Sequence, residues 1–431
     1  MIKNVLTNDF LKKIFCTLIL IGIYRFGIFI AIPGVNEHLF RAYVKSLDMM
    51  SGILGFFNVF SGGAMENASI FALGIMPYIT SSIIISLTMT LFPSFEEMRR
   101  NNSINESDIK RYTFFLAIFI TFLQGYAISE YLKQLMYHGE PVVSLQNGFC
   151  ITSTLTLVAG TSILIWISEK ISYYGIGNGV SLLIISGILA KIPKYCVNIY
   201  LGFIHYGVYS IRDVILIVSV ASFFLIIIVF IESSEKRIPI ATVHHRKSRY
   251  YNRNAYLPLK INFAGIMPPI LASAILSIPI TLSIFLRWKY SNMIAYYFKS
   301  DHYVYQIVFT ILIIVISYFY TIIRLNPEKI SDNMLKNDNI IPGTRPGSQT
   351  SLYIERMSNR IILWGTLYLL TLCILPMVFQ ELFGNHFTFS FGGTTLLIVV
   401  NVSIDILNKI ENHFTVKKYS VYRLFDSAKR W

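Results

Sequence analysis

Charge is what this sequence has least of. Asp, Glu, Lys and Arg together make up 14% of its 431 residues, where soluble domains carry about 25%. That leaves too little polar surface to cover a water-soluble particle, and it excludes an ordinary soluble enzyme or a disordered chain. Acidic residues are the scarcer sign, 23 against 37 basic ones. Cysteine is scarce too: Cys16, Cys150, Cys196 and Cys373 lie far apart, with no CxxC or metal-ligand spacing. Their expected role is small apolar packing. Cys150 and Cys196 could both reach the outer face, which leaves one disulfide open. Histidine offers little more, because His38, His138, His205, His244, His245, His302, His386 and His413 fall in loops or at the ends of apolar runs. Adjacent His244 and His245 would point apart on a helix and make a poor metal pair. There is no HExxH and no P-loop spacing, and the glycines of 175–179 lack the third Gly of a dinucleotide loop. Gly160-Thr161-Ser162 has no histidine at membrane depth to activate its serine, and reads as a small-residue helix contact. No catalytic residue, metal ligand or cofactor site is expected.

What the chain does have is apolar length, with 54% hydrophobic residues. A membrane-spanning helix needs about 20 of them in a row. Ten such stretches can be read, at about 14–33, 70–92, 112–132, 149–168, 176–193, 212–232, 262–287, 303–325, 360–380 and 391–410. Runs such as Ile215 to Ile231 do not alternate, as barrel strands would. An all-α polytopic membrane protein follows, because a helix satisfies every backbone group within one segment in lipid. The first stretch is too long for a signal-peptide core and is expected to stay as a transmembrane helix. With the N-terminus in the cytoplasm, 27 of the 37 Lys and Arg fall on the cytoplasmic side and 9 opposite, with Arg25 inside the first span. The positive-inside rule therefore predicts cytoplasmic N- and C-termini. Only Arg25 and Asp405 approach membrane depth as charges, which weakens an ion-coupled transporter reading.

Three strings are unusual for a generic transporter. Phe57-Asn58-Val59-Phe60-Ser61-Gly62-Gly63-Ala64 is semi-polar and precedes the apolar run from Ile70. It reads as an outer loop or as a re-entrant piece, and a re-entrant piece would require a cavity around it. Gly175-Ile176-Gly177-Asn178-Gly179-Val180-Ser181 opens the short run that ends near Pro193. Leu257-Pro258-Leu259-Lys260-Ile261-Asn262-Phe263-Ala264-Gly265 leads into Pro268-Pro269, which should kink the seventh span. A polar loop of about 35 residues carries Asp332-Asn333 and Pro342-Gly343-Thr344-Arg345-Pro346-Gly347, and loops that long are usually functional.

In that order, from about Leu11 to Ile410, these strings resemble the SecY family, the central subunits of the bacterial protein-conducting channel. The departures are a shortened N-terminal extension, a divergent loop from His244 to Tyr256 and an idiosyncratic tail. The resemblance implies ten transmembrane helices in two inverted pseudo-symmetric halves around a central pore, residues 1–190 and 191–431. It implies a pore ring at Ile75, Ile79, Val180, Ile184, Ile270 and Ile398. Branched aliphatics there would dewet a constriction, yet spread around a passing chain. A plug over about 57–68 would use Asn58, Ser61, Gly62, Gly63, Ala64 and Asn67. Thr80, Ser81, Asn262 and Ser273 would line a lateral gate between the second and seventh spans. Two cytoplasmic loops, about 233–260 and 326–359, would dock partners through Arg345, Arg246, Lys247, Arg249 and Arg253. The implied partners are SecE and SecG, the SecA motor ATPase, the ribosome through its RNA, unfolded preproteins with their signal sequences, and membrane lipids. The implied place is the bacterial cytoplasmic membrane. A small-solute secondary transporter and a non-conducting scaffold are the competing readings, and the former would need midplane charges.

Overall fold

A computed structural model describes residues 2–46, 58, 61–92, 95, 105–143, 148–204, 210–242, 256–285, 297, 302–383 and 393–428. Among these are thirteen helices: α1 (Ile2–Gly27), α2 (Glu37–Ser46), α3 (Met76–Leu91), α4 (Glu106–Gln134), α5 (Phe149–Tyr174), α6 (Gly179–Leu189), α7 (Ile192–Ile204), α8 (Ile211–Glu232), α9 (Met267–Phe285), α10 (Tyr303–Leu325), α11 (Pro327–Lys336), α12 (Ser348–Phe383) and α13 (Gly393–Ala428). Seven helical stretches of the described residues are long and apolar enough to cross a membrane, and Met76–Met89 and Met267–Leu276 are shorter apolar helices. Each of the ten expected spans coincides with a helix. Large apolar side chains on them face outward, as with Ile226 at 66% and Phe230 at 73% exposure on α8. Lipid is the solvent that makes such a surface stable.

Local chemistry sets the helix ends. The Asp108 carboxylate accepts from the Asn105 N–H at 3.1 Å before α4, and Asp213 accepts from the Ser210 N–H at 2.8 Å before α8. Several expected boundaries shift for equally local reasons. α1 stops at Gly27, after which the chain turns and the Ile32 N–H reaches the Ala68 carbonyl at 2.8 Å. Residues 61–75 are turns apart from Ser69, which bridges to Ala31, so the second apolar run becomes helical at Met76 rather than at 70. The fifth span breaks after Leu189 and resumes as α7, with Pro193 in its first turn. Pro268 and Pro269 do not kink a span. They lie in the first turn of α9, where a missing N–H leaves no bond unmade. The proline inside that helix is Pro279.

The chain divides into two compact units, Met1–Tyr200 with Ala274–Tyr305 and Val402–Trp431, and Leu201–Ser273 with Gln306–Asn401. In the first, α4 packs along α3 and α5 around Leu73, Ile128, Leu132, Phe149 and Leu157. The expected small-residue contact is there: the Ile70 carbonyl lies where a Cβ on Gly160 would stand. None of the four cysteines is in a disulfide, and Cys150 donates to Glu130 Oε2 at 3.3 Å instead of bonding to Cys196. The first unit also holds a short antiparallel pair, β1 (Met136–Tyr137) and β2 (Glu140–Pro141). In the second unit, antiparallel strands β3 (Glu235–Pro239) and β5 (Tyr256–Lys260) pair Ile238 with Leu257. Ile238 and Leu259 then join Leu325, Met334, Ile341 and Ile354 in a small core.

Candidate functional site

The segment from Asn58 to Ala68 is the centre of the site. Its small side chains are buried, with Ser61 and Ala64 fully covered and Asn58 nearly so. Gly62 holds a left-handed φ of +66°, and a Cβ on it would meet the Gly187 backbone at 2.7 Å, so only glycine fits. Polar and charged side chains close around this backbone. Tyr24 Oη donates to the Ser61 carbonyl at 3.0 Å, and Arg25 Nη1 to the Gly62 carbonyl at 3.0 Å. Arg25 Nη2 reaches the Ser186 and Gly187 carbonyls at 2.6 and 3.3 Å, near the C-terminal end of α6, where the helix dipole favours a cation. Lys191 Nζ donates to the Asn58 carbonyl at 2.9 Å. Glu66 accepts from Asn58 Nδ2 at 2.7 Å and from Lys194 Nζ at 2.8 Å. Burial pushes the Glu66 carboxyl up, but the Lys194 and Asn58 hydrogen bonds and the charges of Lys191 and Lys194 outweigh it and hold the pKa below its usual value. Asn67, half-buried, donates to the Ile28 carbonyl at 3.4 Å.

In the first unit, Ile75 and Ile79 are joined by the Ile79 N–H to Ile75 carbonyl bond at 3.2 Å at the start of α3, and both are buried. Ile184 is buried on α6, and Val180, one turn before it, is half-buried. The turn that delivers them is fixed by polar bonds: the Gly179 N–H donates to Ser172 Oγ at 2.8 Å and Asn178 Oδ1 accepts from the Val180 N–H at 3.1 Å. In the second unit Ile270 and Ile398 are likewise buried. The four small polar residues expected at a lateral gate are all buried. Thr80, Ser81 and Ser273 spend their hydroxyl hydrogens on carbonyls of their own helices, those of Met76, Pro77 and Ile270, each at 2.7 Å. Asn262 instead donates to buried Glu232 at 2.6 Å and accepts from the Gly265 N–H at 3.0 Å, shaping the entry to α9.

Arg345 is exposed at a braced tip. Ile341 anchors one side in the small core, and β4 (Ala241–Thr242) pairs with β6 (Asn339–Ile340) beside it. Thr350 Oγ1 donates to the Arg345 carbonyl at 2.9 Å, and Ser331 Oγ to the Gly347 carbonyl at 2.8 Å. Arg246, Lys247, Arg249 and Arg253 lie outside the described residues, as do Phe57, Val59 and Phe60 of the 57–68 segment.

The family model described as SecY matches residues 69–407. The protein translocase subunit SecY of Aquifex aeolicus is 36% identical over 416 residues, covering 95% of this chain and 96% of that one. Its counterpart in Helicobacter pylori strain J99 is 38% identical over 420 residues, covering 95% and 97%. The chain belongs to the SecY family.

A solved SecY structure, described by its plug domain stabilising the closed state of the translocation channel and maintaining a membrane seal, has a TM-score of 0.63. It is 18% identical and covers 94% of this chain and 92% of its own, which supports a SecY fold. With that family in hand, the residues that sequence reasoning missed stand out. Tyr24, Glu66, Lys191 and Lys194 stand in no sequence motif, and Arg25 is legible only as a charge inside a span. Its signal was legible all the same, because an ionisable residue at membrane depth marks a partner or a pathway.

Proposed function

We propose that this chain is the protein-conducting channel subunit of a bacterial Sec translocase. It passes unfolded preproteins across the cytoplasmic membrane and releases apolar segments sideways into lipid. The observation that carries the reading is SecY membership over nearly the whole chain, including the strings that hold the proposed plug, ring and gate. In this reading residues 1–190 and 191–431 are the two inverted halves, and both termini are cytoplasmic. Ile75, Ile79, Val180, Ile184, Ile270 and Ile398 form the ring that dewets the resting pore. The small-residue segment over about 57–68 is the plug, and Thr80, Ser81, Asn262 and Ser273 belong to the helices that part for a signal sequence. The chain catalyses no step itself. SecA or the ribosome, docked on the cytoplasmic loops through Arg345 and the basic run from Arg246 to Arg253, supplies the drive, and SecE and SecG complete the complex. Phosphate contacts to ribosomal RNA would make that docking weaken with salt.

The test is a stalled preprotein and a photo-crosslinking residue placed in turn at Ile79, Ile184 and Phe230. Adducts at the first two and none at lipid-facing Phe230 are expected. Equal adducts at all three, or none, would remove the ring assignment.

A further inference from the structure

We infer that Arg25, Lys191, Lys194 and Glu66 form a latch that holds the segment from Asn58 to Ala68 seated, and so sets the resting permeability of the pore. The inference rests on the plug reading above and names the residues that would keep a plug in place. Ser61, Gly62, Gly63 and Ala64 bring little apolar area, so hydrophobic burial holds this part of the segment weakly, while Met65 and Ala68 join the apolar core of the first unit. The hold on this part is polar and mostly one-sided, the exception being Asn67, which donates from the segment to the Ile28 carbonyl. The donors stand on the frame: Tyr24 and Arg25 on α1, Lys191 between α6 and α7, and Lys194 on α7. The acceptors stand on the segment: the Ser61, Gly62 and Asn58 carbonyls at 3.0, 3.0 and 2.9 Å, and the Glu66 carboxylate.

Arg25 is the pivot, because its fork is divided. Nη2 stays on the Ser186 and Gly187 carbonyls of α6 while Nη1 holds the Gly62 carbonyl. Unseating the segment breaks the second grip and leaves the first, so the arginine remains positioned to receive the segment again. Lys191 has the opposite character. Its side chain is buried, and departure of the segment removes the Asn58 carbonyl and the nearby Glu66 charge together. A buried ammonium stripped of its acceptor is costly, which biases the equilibrium toward the seated state. Glu66 links the two ends of the segment, since Asn58 Nδ2 donates to one of its oxygens and Lys194 Nζ to the other. These are positioning residues, and none needs to touch a passing chain.

The test uses the full chain reconstituted with its partner subunits in planar bilayers, recording resting ion conductance beside preprotein translocation. Glu66→Gln is close to isosteric and Lys194 is mostly exposed, so Glu66→Gln and Lys194→Gln leave the fold intact. Each of Glu66→Gln and Lys191→Met should raise resting conductance by about tenfold, an opening shift of about 1.4 kcal/mol, without slowing translocation. Lys194→Gln should have the same sign and a smaller size, because its ion pair is screened. Arg25→Lys should fall between wild type and Arg25→Met, because one ammonium cannot keep both grips. A cysteine at buried Ser61 should react with maleimide faster in the Glu66→Gln background. Wild-type conductance and labelling in these variants, with a leak on deletion of residues 58–68, would overturn the latch and leave the plug intact. A tight deletion variant would overturn both.

Discussion

Arg345 is exposed on a tip whose backbone has little freedom, with Pro342 and Pro346 fixing φ and the Thr350 and Ser331 hydroxyls bracing the Arg345 and Gly347 carbonyls. A rigid tip loses little entropy when its side chain engages a partner. A guanidinium offers a planar five-donor fork that lysine lacks, whereas the positive-inside rule counts both residues alike. Arg345→Lys and Arg345→Glu are therefore expected to keep membrane insertion and assembly but to lower SecA-driven translocation by at least about tenfold, or about 1.4 kcal/mol. Full activity of the lysine variant in vesicle translocation would reduce Arg345 to a topogenic charge. Glu66 yields a second residue-scale prediction. Its folded pKa lies below the ordinary 4.5, although burial pushes the other way, because hydrogen bonds from Lys194 and Asn58 and the charges of Lys191 and Lys194 favour the anion. A depressed carboxylate contributes its stabilisation fully above the unfolded pKa and loses it as pH falls through the folded one. Lys191 and Lys194 are the charged groups that face it. Resting conductance should thus stay flat from neutral pH down to about 5 and rise below that, while Glu66→Gln should be leaky and nearly flat with pH. A rise of the same size in the Gln variant would assign the acid effect elsewhere.

At the scale of elements, the strands β3 and β5 and the tip after β6 share one small core, so the described ends of the 233–260 loop and the Arg345 tip are anchored together. Leu259 and Ile238 are each 2% exposed, and Ile341, four residues before Arg345, lies in the same cluster. Leu259→Ala should cost about 2–5 kcal/mol locally, speed hydrogen exchange over 235–239 and 339–341, and lower motor-driven translocation with resting conductance unchanged. Unaltered exchange would mean that the hairpin and the tip stand independently. Uninterrupted apolar runs made the helices legible, since Ile215 to Ile231 admits little else. Their ends were less so. Ile70 to Ile75 are as apolar as the helix that follows, yet they fold as turns because Gly74 is left-handed and the Ile30 carbonyl takes the Ile70 N–H. Pro268 and Pro269 looked like a kink and proved to be a helix start, since a pattern of residues does not say which turn a proline will occupy. The β3–β5 hairpin was hidden because its two strands are only five residues long and lie far apart in sequence. The latch was hidden for the same reason. Arg25 meets Ser186 across 161 positions and Lys191 meets Asn58 across 133, and no spacing rule connects them.

For the molecule as a whole, the proposed topology accounts for the net charge of +14, and the scarcity of midplane charge argues against coupled transport of small ions. On the proposed reading the chain is a passive path through an apolar ring, closed at rest by a small-residue segment under polar restraint and opened by partners docked on the cytoplasmic loops. The central claim is that this chain conducts polypeptide. The most direct measurement is reconstitution of the chain with SecE and SecG in proteoliposomes, addition of SecA, ATP and an unfolded preprotein, and a protease-protection assay. The account predicts full-length preprotein protected inside the vesicles, dependent on ATP and on this chain, and reduced when Arg345 is replaced by lysine. Absence of protected preprotein from vesicles in which the assembled complex is intact and SecA is active would contradict it.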